Sequence, residues 1–322
     1  MDKKNVLALG IDLGGTKISA ALVQDSKVVG EAWRVPTPKG RDNIVEAVLE
    51  LIEKFKKDHL ILGVGIATAG IVDPNSGAVV GSTGNLPGWE GTPLKNLIQS
   101  RTALSVHVEN DANAAAYGEV CASPKLINRT CVVTVTLGTG IGLGIVIEGQ
   151  LYRGSHFASQ GGHVRISMEN RRRCTCGLWD CWEAYGAGRG LLATGHDMLL
   201  GVHDDQSRMA VKRESLTNQD ILDAARDGEV LAQRMIEKWH EYVAVGMVSV
   251  AHILDPDVFV ITGGMSKFVD YQLLREMLAD RTLPRVSQNL EIHPSLLSEA
   301  AGMVGAANLV LAAAESEHQI RA

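Results

Sequence analysis

Apolar residues near the start of the chain occur in short runs that are separated by turn residues. Residues 6–12, 17–23 and 27–35 each form such a run, and the connections between them contain LGGT and DS. Short connections of this kind are typical of tight turns between neighbouring strands. The pattern therefore predicts three successive β-strands.

Longer periodic segments follow these strands. Residues 43–57 carry apolar side chains at helical spacing, with lysines gathered at the C-terminal end, which predicts an amphipathic helix. Residues 61–67 and 104–110 are apolar enough to be strands, and DANAAAYGE after the second is rich in helix formers. Strands that alternate with helices on this scale predict an α/β fold.

The opening layout of strand, glycine turn and strand returns in CVVTVTLGTGIGLGIVIEG at residues 131–149. We interpret this as a weak internal duplication, since two such hairpins can grip one phosphate chain from both sides. The later chain is mostly helical: residues 230–254 predict a long helix with Gly246 inside it, and residues 300–315 predict a helix of small residues. The polar stretch 201–220 is expected to be a surface loop or excursion.

Composition narrows the functional classes. The 322 residues, 45% of them hydrophobic, allow one large domain or two medium ones. The net charge of −6 argues against nucleic acid as a main partner. The apolar run in MDKKNVLALGID ends at Asp12, which indicates a first strand and not a signal peptide. No stretch approaches the roughly 18 apolar residues of a membrane span, so we expect a cytoplasmic protein with reduced thiols.

Three glycine turns follow apolar strands and are candidates for phosphate binding. Gly14 and Gly15 in DLGGTK, and residues 137–142 in LGTGIG, offer backbone N–H groups that no Cβ shields. A third turn, residues 263–264, follows VFVIT. Each turn alone could equally be a plain connection, and together they favour phosphate. The pattern is neither a P-loop nor a Rossmann fingerprint.

Two carboxylates stand where chemistry could use them. Asp12 closes a strand directly before the glycines, a natural position for holding Mg²⁺ beside phosphate oxygens. Asp111 lies between a strand and a helix and could accept a proton from a substrate hydroxyl. Turn capping for Asp12 and helix capping for Asp111 remain open alternatives.

Three of the five cysteines fall within CTCGLWDC. With the upstream His163, Cys174, Cys176 and Cys181 would make a closed tetrahedral zinc site of the structural type. Disulfides are disfavoured in a reducing compartment, and idle thiols are the other alternative. The three arginines at 171–173 are expected to favour the thiolate forms.

Five segments together resemble the ROK family of sugar kinases and related repressors, within the actin–hexokinase–Hsp70 fold class. In chain order they are LGIDLGGTK, VENDANAAAYGE, LGTGIGLG, GGHVRI followed by CTCGLWDCWE, and VITGGMS. The resemblance covers nearly the whole chain. It implies an α/β, two-domain actin-like ATPase (ribonuclease H-like) fold with an interdomain cleft and a structural zinc loop.

The resemblance also implies roles for individual residues. Asp111 would be the general base for the sugar's 6-hydroxyl, in a reaction that depends on positioning and charge stabilisation. The implied sugar contacts are Asn85, Asn110, Asp111, Gln160, His163 and Glu183. The implied contacts to ATP and Mg²⁺ are Asp12, Gly14, Gly15, Thr16, Lys17, Gly138, Thr139 and Gly140, with Gly263 and Gly264 against adenosine. The implied ligands of a structural Zn²⁺ are His163, Cys174, Cys176 and Cys181.

One departure from the family pattern concerns the sugar site. Family members usually carry glutamate three residues before the zinc histidine, whereas this chain has Gln160 in SQGGH. Glutamine keeps one acceptor oxygen and replaces the other by a donor, so sugar affinity would fall or a sugar with an acceptor at C2 would be preferred. Leu143 and Asp180 also stand where glycine is commoner, and both are expected to be tolerated.

These features lead to one expected function and three rivals. We expect ATP-dependent phosphorylation of a hexose, with glucose first because ENDANAAA and GNLPGW look most like glucokinase members. N-acetylmannosamine or N-acetylglucosamine is the alternative substrate, mildly disfavoured by the apolar Ile71 in ATAGIVDP. A repressor is disfavoured because only five residues precede Val6. A sugar-binding protein with impaired turnover is the remaining rival, and Gln160 is its support.

We also expect two domains. The smaller would comprise residues 1–118 plus 302–322, and the larger, residues 119–301, would hold the zinc loop and the nucleotide site. The family resemblance implies a homodimer or homotetramer. Sugar and ATP are the expected small-molecule partners, with no nucleic acid and no membrane.

Overall fold

The computed structural model of the chain describes residues 6–81, 86–203 and 207–321. Its strands are β1 (Leu7–Leu13), β2 (Lys17–Gln24), β3 (Lys27–Pro36), β4 (Ile61–Thr68), β5 (Ile71–Val72), β6 (Val79–Gly81), β7 (Ser105–Asn110), β8 (Cys131–Leu137), β9 (Ile141–Ile147), β10 (Gln150–Leu151), β11 (Val258–Thr262) and β12 (Glu291–Pro294). Its α-helices are α1 (Arg41–Asp58), α2 (Leu94–Thr102), α3 (Asp111–Ala122), α4 (Trp182–Gly186), α5 (Gly188–Met198), α6 (Arg208–Val211), α7 (Asn218–Arg226), α8 (Val230–Leu254), α9 (Tyr271–Arg281), α10 (Pro284–Ser287) and α11 (Ala301–Arg321).

The first sheet confirms the predicted N-terminal strands. Its order is β3-β2-β1-β4-β7, with β1 antiparallel to β2 and parallel to β4. The β2–β3 connection is a two-residue turn in which Asp25 (φ 49°) and Ser26 (φ 59°) both adopt the left-handed conformation. Two successive residues with positive φ match the twist of a β-hairpin.

Helix α1 covers this sheet through its predicted apolar face. Ile44, Val48, Ile52 and Phe55 are all buried, whereas the lysines of the last turn lie at the helix C-terminus. Positive charge there complements the helix dipole. The amphipathic pattern and the packed face therefore agree.

Helix α11 packs against α3 at very short range, as its small residues predict. An added Cβ at Gly305 would collide with the carbonyl of Ala114, and one at Gly118 would collide with Ala301 and Gly305. Glu119, buried on α3, accepts hydrogen bonds from the amides of Leu296 (2.9 Å) and Leu297 (3.1 Å) just before α11. Glycine is needed here because the two helix backbones leave no room for a methyl group.

The second five-stranded sheet has the order β10-β9-β8-β11-β12, with β11 and β12 parallel. This order repeats that of the first sheet position for position: three strands joined by tight turns, then two strands reached by longer connections. The repeated order supports an internal duplication, which the sequence showed only as two similar hairpins.

The long helix α8 includes Gly246 because of a neighbouring indole. The ring of Trp182, which is fully buried, lies against Gly246 so closely that a Cβ would overlap it. Its Nε1 donates to the carbonyl oxygen of Tyr242 at 2.8 Å. A residue that usually weakens a helix is thus the one that lets Trp182 pack.

The chain divides into two compact units. The first comprises Met1–Thr134, Leu143–Ser159 and Ser295–Ala322, and the second comprises Val135–Gly142 and Gln160–Pro294. Compactness does not show which segments fold on their own, so the domain boundaries 1–118 plus 302–322 and 119–301 stay a prediction. Across the described ranges, none of the helices has the length and the apolar run that a bilayer crossing needs.

The sequence predicts a surface loop or excursion at residues 201–220, and the loop is wrong from residue 208 onward. Helix α6, a 3₁₀ turn (Arg213–Ser215) and the start of α7 lie there, and Met209 is buried. The polar residues that suggested a loop are helix caps: Ser207 accepts from the amide of Met209, and Thr217 forms a capping box with Asp220.

Candidate active site

The first glycine turn is a tight connection between β1 and β2. The amide of Gly14 donates to the carbonyl oxygen of Lys17 at 3.0 Å, and Thr37 Oγ1 donates to the carbonyl oxygen of Gly14 at 2.7 Å. Residues 15–17 are exposed. Lys17 Nζ pairs with Glu299 at 3.1 Å, so this predicted phosphate-facing charge already has a carboxylate partner.

Asp12 sits at the end of β1 in surroundings that disfavour its charge. The pKa of Asp12 is raised to about 7, and loss of solvent is the largest cause. The nearby Asp111 carboxylate raises this pKa further, while Lys17 lowers it. Gly302 lies behind it, where an added Cβ would be 3.2 Å from Cγ. A carboxylate of this kind gains most from a cation.

Asn110, and not Asp111, caps helix α3. Its Oδ1 accepts from the amides of Ala112 (3.0 Å) and Asn113 (3.1 Å). Its Nδ2 donates to the carbonyl oxygen of Gly70 and to Asp111 Oδ1, both at 2.9 Å. The open alternative that Asp111 is the helix cap is therefore wrong, because α3 already begins at Asp111 and its N-cap is the residue before.

Asp111 is consequently exposed at the first position of α3. Its Oδ1 accepts from the amide of Ala112 at 2.9 Å as well as from Asn110. Protein around the carboxyl displaces much of its water and raises the pKa of Asp111, and these two hydrogen bonds oppose the rise. A fixed, accessible carboxylate with a raised pKa is suited to accept a proton.

Glu109 is a buried carboxylate behind this turn that sequence reasoning did not assign. Oε2 accepts from Arg153 Nε at 2.8 Å, and Oε1 accepts from the amide of Asn110 (3.0 Å) and from Asn113 Nδ2 (3.1 Å). The only sequence signal was the run of three polar residues 109–111 after an apolar strand. Glu109 thus supports the Asn110–Asp111 turn from inside.

The second glycine turn is held by two other segments of its unit. The amide of Gly138 donates to the carbonyl oxygen of Gly140 at 3.0 Å. The amide of Gly188 donates to the carbonyl oxygen of Gly138 at 2.9 Å. Gly263 has φ 91° and lies against the carbonyl of Leu137. The structure therefore brings residues 138–140 and 263–264 together, as expected for one ligand. Thr139 is exposed at the tip of the turn.

The four predicted metal ligands converge. The candidate ligand atoms of His163, Cys174, Cys176 and Cys181 all lie within 4.8 Å of one another. Cys176 Sγ and Cys181 Sγ are 3.7 Å apart, as are Cys174 Sγ and His163 Nδ1. Zinc–sulfur bonds of about 2.3 Å in a tetrahedron put neighbouring ligands roughly 3.8 Å apart. The donor set therefore fits Zn²⁺, and the sulfur separation is too long for a disulfide.

The expectation that arginines favour the thiolates is wrong. Arg172 Nη2 pairs with Asp197 at 2.7 Å, and the guanidinium of Arg173 lies over the Trp179 ring. Burial raises the pKa of Cys181 to about 12. A cation between the sulfurs is what would deprotonate them, because the arginines point elsewhere.

Glu183 links this cluster to the second glycine turn. Oε1 accepts from Cys174 Sγ (3.3 Å) and Thr175 Oγ1 (3.1 Å) and forms an ion pair with Arg189. Oε2 accepts from the amide of Ile141 at 3.1 Å. Both oxygens of this buried carboxylate therefore have protein partners.

Gln160 and His163 are held by a single 3₁₀ turn (Gly161–His163). The amide of His163 donates to the carbonyl oxygen of Gln160 at 3.0 Å, and a Cβ at Gly162 would collide with the carbonyl of Ile141. The Gln160 side chain is exposed and so accessible to a ligand. Asn85, the other expected sugar contact, lies outside the described residues.

Asp180 shows why glycine is commoner at its position and what this chain gains instead. It has φ 58° and is fully buried. Its carboxylate accepts from three backbone amides, those of residues 170–172, and from the Tyr185 hydroxyl at 2.7 Å. Although loss of solvent opposes them, these bonds lower the pKa of Asp180 to about 2.

The candidate residues therefore fall into two groups, one in each compact unit. Asp12, residues 14–17, Asn110 and Asp111 belong to the first unit, which carries the carboxylates. Residues 138–140, Gln160, the four metal ligands, Glu183 and residues 263–264 belong to the second, which carries the metal cluster.

Comparison with known proteins gives consistent matches over almost the whole chain. The sequence model of the ROK family matches residues 8–313. A glucokinase of Streptomyces coelicolor is 33% identical over 94% of this chain and 97% of its own length. An N-acetyl-D-glucosamine kinase of Salmonella newport is 31% identical over 94% and 98%. A xylose repressor of Bacillus spizizenii is 26% identical over 96% of this chain and 78% of its own length.

A solved structure shares the fold. The crystal structure of a ROK family glucokinase from Streptomyces griseus, in complex with glucose and AMPPNP, superposes with a TM-score of 0.78 at 30% identity. It covers 94% of this chain and 98% of that one. The expected actin-like α/β fold is thereby confirmed.

Proposed function

Because the chain belongs to the ROK family, we propose that it is an ATP-dependent kinase that phosphorylates the 6-hydroxyl of a hexose, with glucose as the first candidate. The proposal rests on the position and the raised pKa of the Asp111 carboxylate. Asn110 performs the capping, so the Asp111 carboxylate is fixed, accessible and electrostatically close to Asp12. A simple helix cap would have no reason for this arrangement.

Asp111 would accept the proton of the sugar hydroxyl as that oxygen attacks the terminal phosphorus of ATP. Its raised pKa makes it a stronger base than an ordinary aspartate. Asn110 would act through Asp111, since its amide already orients Oδ1. Glu109 would keep both residues in place from the buried side.

The two glycine turns would bind the phosphates through backbone N–H groups, and residues 263–264 would lie against adenosine. Asp12 would hold Mg²⁺, which neutralises phosphate charge during transfer. The raised pKa of Asp12 supports this role, because a cation would remove the cost of its ionisation. Because ATP is its proposed phosphoryl donor, the protein would act in the cytoplasm, and it would form a homodimer or homotetramer.

Gln160, His163 and Glu183 would line the sugar. His163 would bind the sugar through one ring nitrogen and zinc through the other. Zinc would be structural, since four protein ligands leave no open position. Gln160 is exposed and offers both a donor and an acceptor to a hydroxyl or a carbonyl.

An N-acetylhexosamine is the second candidate substrate, and Gln160 is the observation that favours it. Its side-chain amide can donate to an acetamido carbonyl, which the glutamate usual at this position cannot do. The similarity to an N-acetyl-D-glucosamine kinase supports the same alternative. Ile71 offers no polar partner and speaks mildly against it.

ADP release with Mg²⁺–ATP tests the proposal across glucose, mannose, fructose, allose, N-acetylmannosamine and N-acetylglucosamine. Wild-type turnover on one sugar, lost in Asp111→Asn, would support the kinase and identify its substrate. If the wild-type protein released no ADP with any of these sugars but Gln160→Glu released ADP with glucose, the glutamine would have disabled the site. Sugar binding without ADP from either protein would overturn the kinase and favour a sensor.

A further inference from the structure

We propose that Glu183 is a positioning residue that couples the metal cluster to the second glycine turn, so that zinc occupancy sets the affinity for the nucleotide. The metal cluster here means His163, Cys174, Cys176 and Cys181. This inference rests on the proposed function, because it takes residues 138–140 as a phosphate-binding turn. It gives Glu183 a role toward the nucleotide in addition to any sugar contact.

The first link joins the cluster to Glu183. Thr175 lies between two metal ligands, and its hydroxyl donates to Oε1 of Glu183 at 3.1 Å. Glu183 follows Cys181, another ligand, by only two residues, and Cys181 is the N-cap of the short helix α4. A metal that fixes the ligands therefore fixes both Thr175 and the start of the helix that carries Glu183.

Zinc changes one of the contacts at Oε1. The Cys174 thiol donates to Oε1 at 3.3 Å, and its proton leaves when the sulfur binds a metal. Thr175 and Arg189 remain as donors to that oxygen. The coupling between zinc and the glycine turn therefore depends on how zinc orders residues 174–181, and not on the hydrogen bond of the Cys174 thiol.

The second link joins Glu183 to the turn. Oε2 accepts from the amide of Ile141, the residue directly after Gly140, at 3.1 Å. The carboxylate lies so close to Gly140 that an added Cβ there would collide with Oε2. The position of Glu183 and the conformation of the turn are thus mutually dependent.

Arg189 and its neighbour Gly188 provide a second connection between Glu183 and the turn. Gly188 donates its amide to the carbonyl oxygen of Gly138 at 2.9 Å, and Arg189 itself pairs with Glu183. The ion pair compensates a carboxylate that would otherwise repel the phosphates of a nucleotide. Zinc loss would loosen Glu183 and expose that charge to the turn.

The coupling can be measured in binding, without turnover. AMPPNP is titrated against zinc-loaded and chelator-treated protein in the absence of sugar, with metal content and circular dichroism recorded for both. We expect about tenfold weaker AMPPNP binding without zinc, and linkage requires AMPPNP to raise zinc affinity by the same factor. Equal AMPPNP affinities in two folded samples would overturn the inference. No AMPPNP binding by the zinc-loaded protein would instead overturn the proposed function.

Variants separate coupling from a purely structural role. Glu183→Gln keeps all four metal ligands, and we expect its AMPPNP affinity to be the same with and without zinc. Retained zinc dependence in this variant would overturn the inference. Gly140→Ala is expected to weaken both zinc retention and AMPPNP binding. Gly138→Ala adds the same methyl to the same turn with nothing within 4 Å, and it should leave zinc retention unchanged.

Discussion

Asn110 donates its side-chain amide to Oδ1 of Asp111 at 2.9 Å, while its own side-chain oxygen caps helix α3. Both residues are of a type that caps helices well, but only Asn110 is the cap, and it also orients Asp111. A cap is worth about 1 kcal/mol of stability, and Asn110 supplies it. Asp111 is left as an accessible carboxylate with a raised pKa, held in one orientation.

Replacing Asp111 by asparagine should stop turnover and preserve nucleotide binding. General-base catalysis contributes roughly 10²–10⁴-fold in rate, and we expect a loss of kcat in that range. Steady-state ADP release and AMPPNP titration measure the two quantities. Asp58→Asn, an exposed carboxylate at the end of α1, is the matched control and should behave like wild type. An Asp111→Asn protein within about tenfold of wild-type kcat would contradict the assigned base.

Local features of this fold could be predicted from the sequence. The two hairpins, the apolar face of α1 and the close-packing helix α11 depend on short-range patterns, and the structure has all of them. The metal cluster could be predicted because three of its ligands lie within eight positions of one another. Short segments leave few conformations in which such residues remain apart.

Long-range relationships could not be predicted. Glu183 and Ile141 are 42 residues apart, and Arg153 and Glu109 are 44 apart. Nothing in either local pattern specifies the partner. The prediction that the arginines at 171–173 would favour the thiolates failed for the same reason, since tertiary partners such as Asp197 determine where these side chains point. The choice between Asn110 and Asp111 as the helix cap depended on the residue at which α3 begins.

Removing the charge of Asp12 should stabilise the protein at alkaline pH. The folded state raises the pKa of Asp12 from 3.8 to about 7, so it binds a proton that the unfolded chain releases. The resulting stability is complete below about pH 4 and is lost as the pH rises through 7. The full shift corresponds to about 4 kcal/mol. Because Asp12 is only partly buried by surface area, we expect Asp12→Asn to gain about 1–3 kcal/mol at pH 8.

Urea unfolding at pH 4.5 and pH 8 measures this gain. The difference between Asp12→Asn and wild type should narrow at pH 4.5, where the wild-type carboxyl is protonated in the fold. Asp25→Asn, in the exposed β2–β3 turn, is the matched control and should change the free energy of unfolding at pH 8 far less than Asp12→Asn does. A gain of equal size at both pH values would contradict the raised pKa.

Loss of one zinc ligand should abolish activity through disorder of the sugar-binding residues. Cys176→Ser removes an exposed sulfur that lies 3.7 Å from Cys181 Sγ. We expect zinc content to fall and turnover to disappear, because His163 and Glu183 lose their anchoring. Metal analysis of purified protein, paired with ADP release, tests this. Cys121→Ser, a free cysteine outside the cluster, should keep both metal and activity. Active wild-type protein without zinc would contradict the account.

Gly246→Ala should destabilise the second unit, contrary to its effect in an ordinary helix. Alanine in place of a helical glycine usually gains about 1 kcal/mol. Here the methyl group would overlap the indole of Trp182, which is fully buried and bonded to Tyr242. We expect a net loss of about 1–3 kcal/mol, typical of an overpacked core, and a reduced zinc affinity because Trp182 adjoins the ligand Cys181. Thermal unfolding and zinc titration measure these effects.

Ser249→Ala is the control on the same helix, and among the described contacts its hydroxyl bonds only to Val245. This variant should change stability far less. A gain in stability for Gly246→Ala would mean that the indole can move aside.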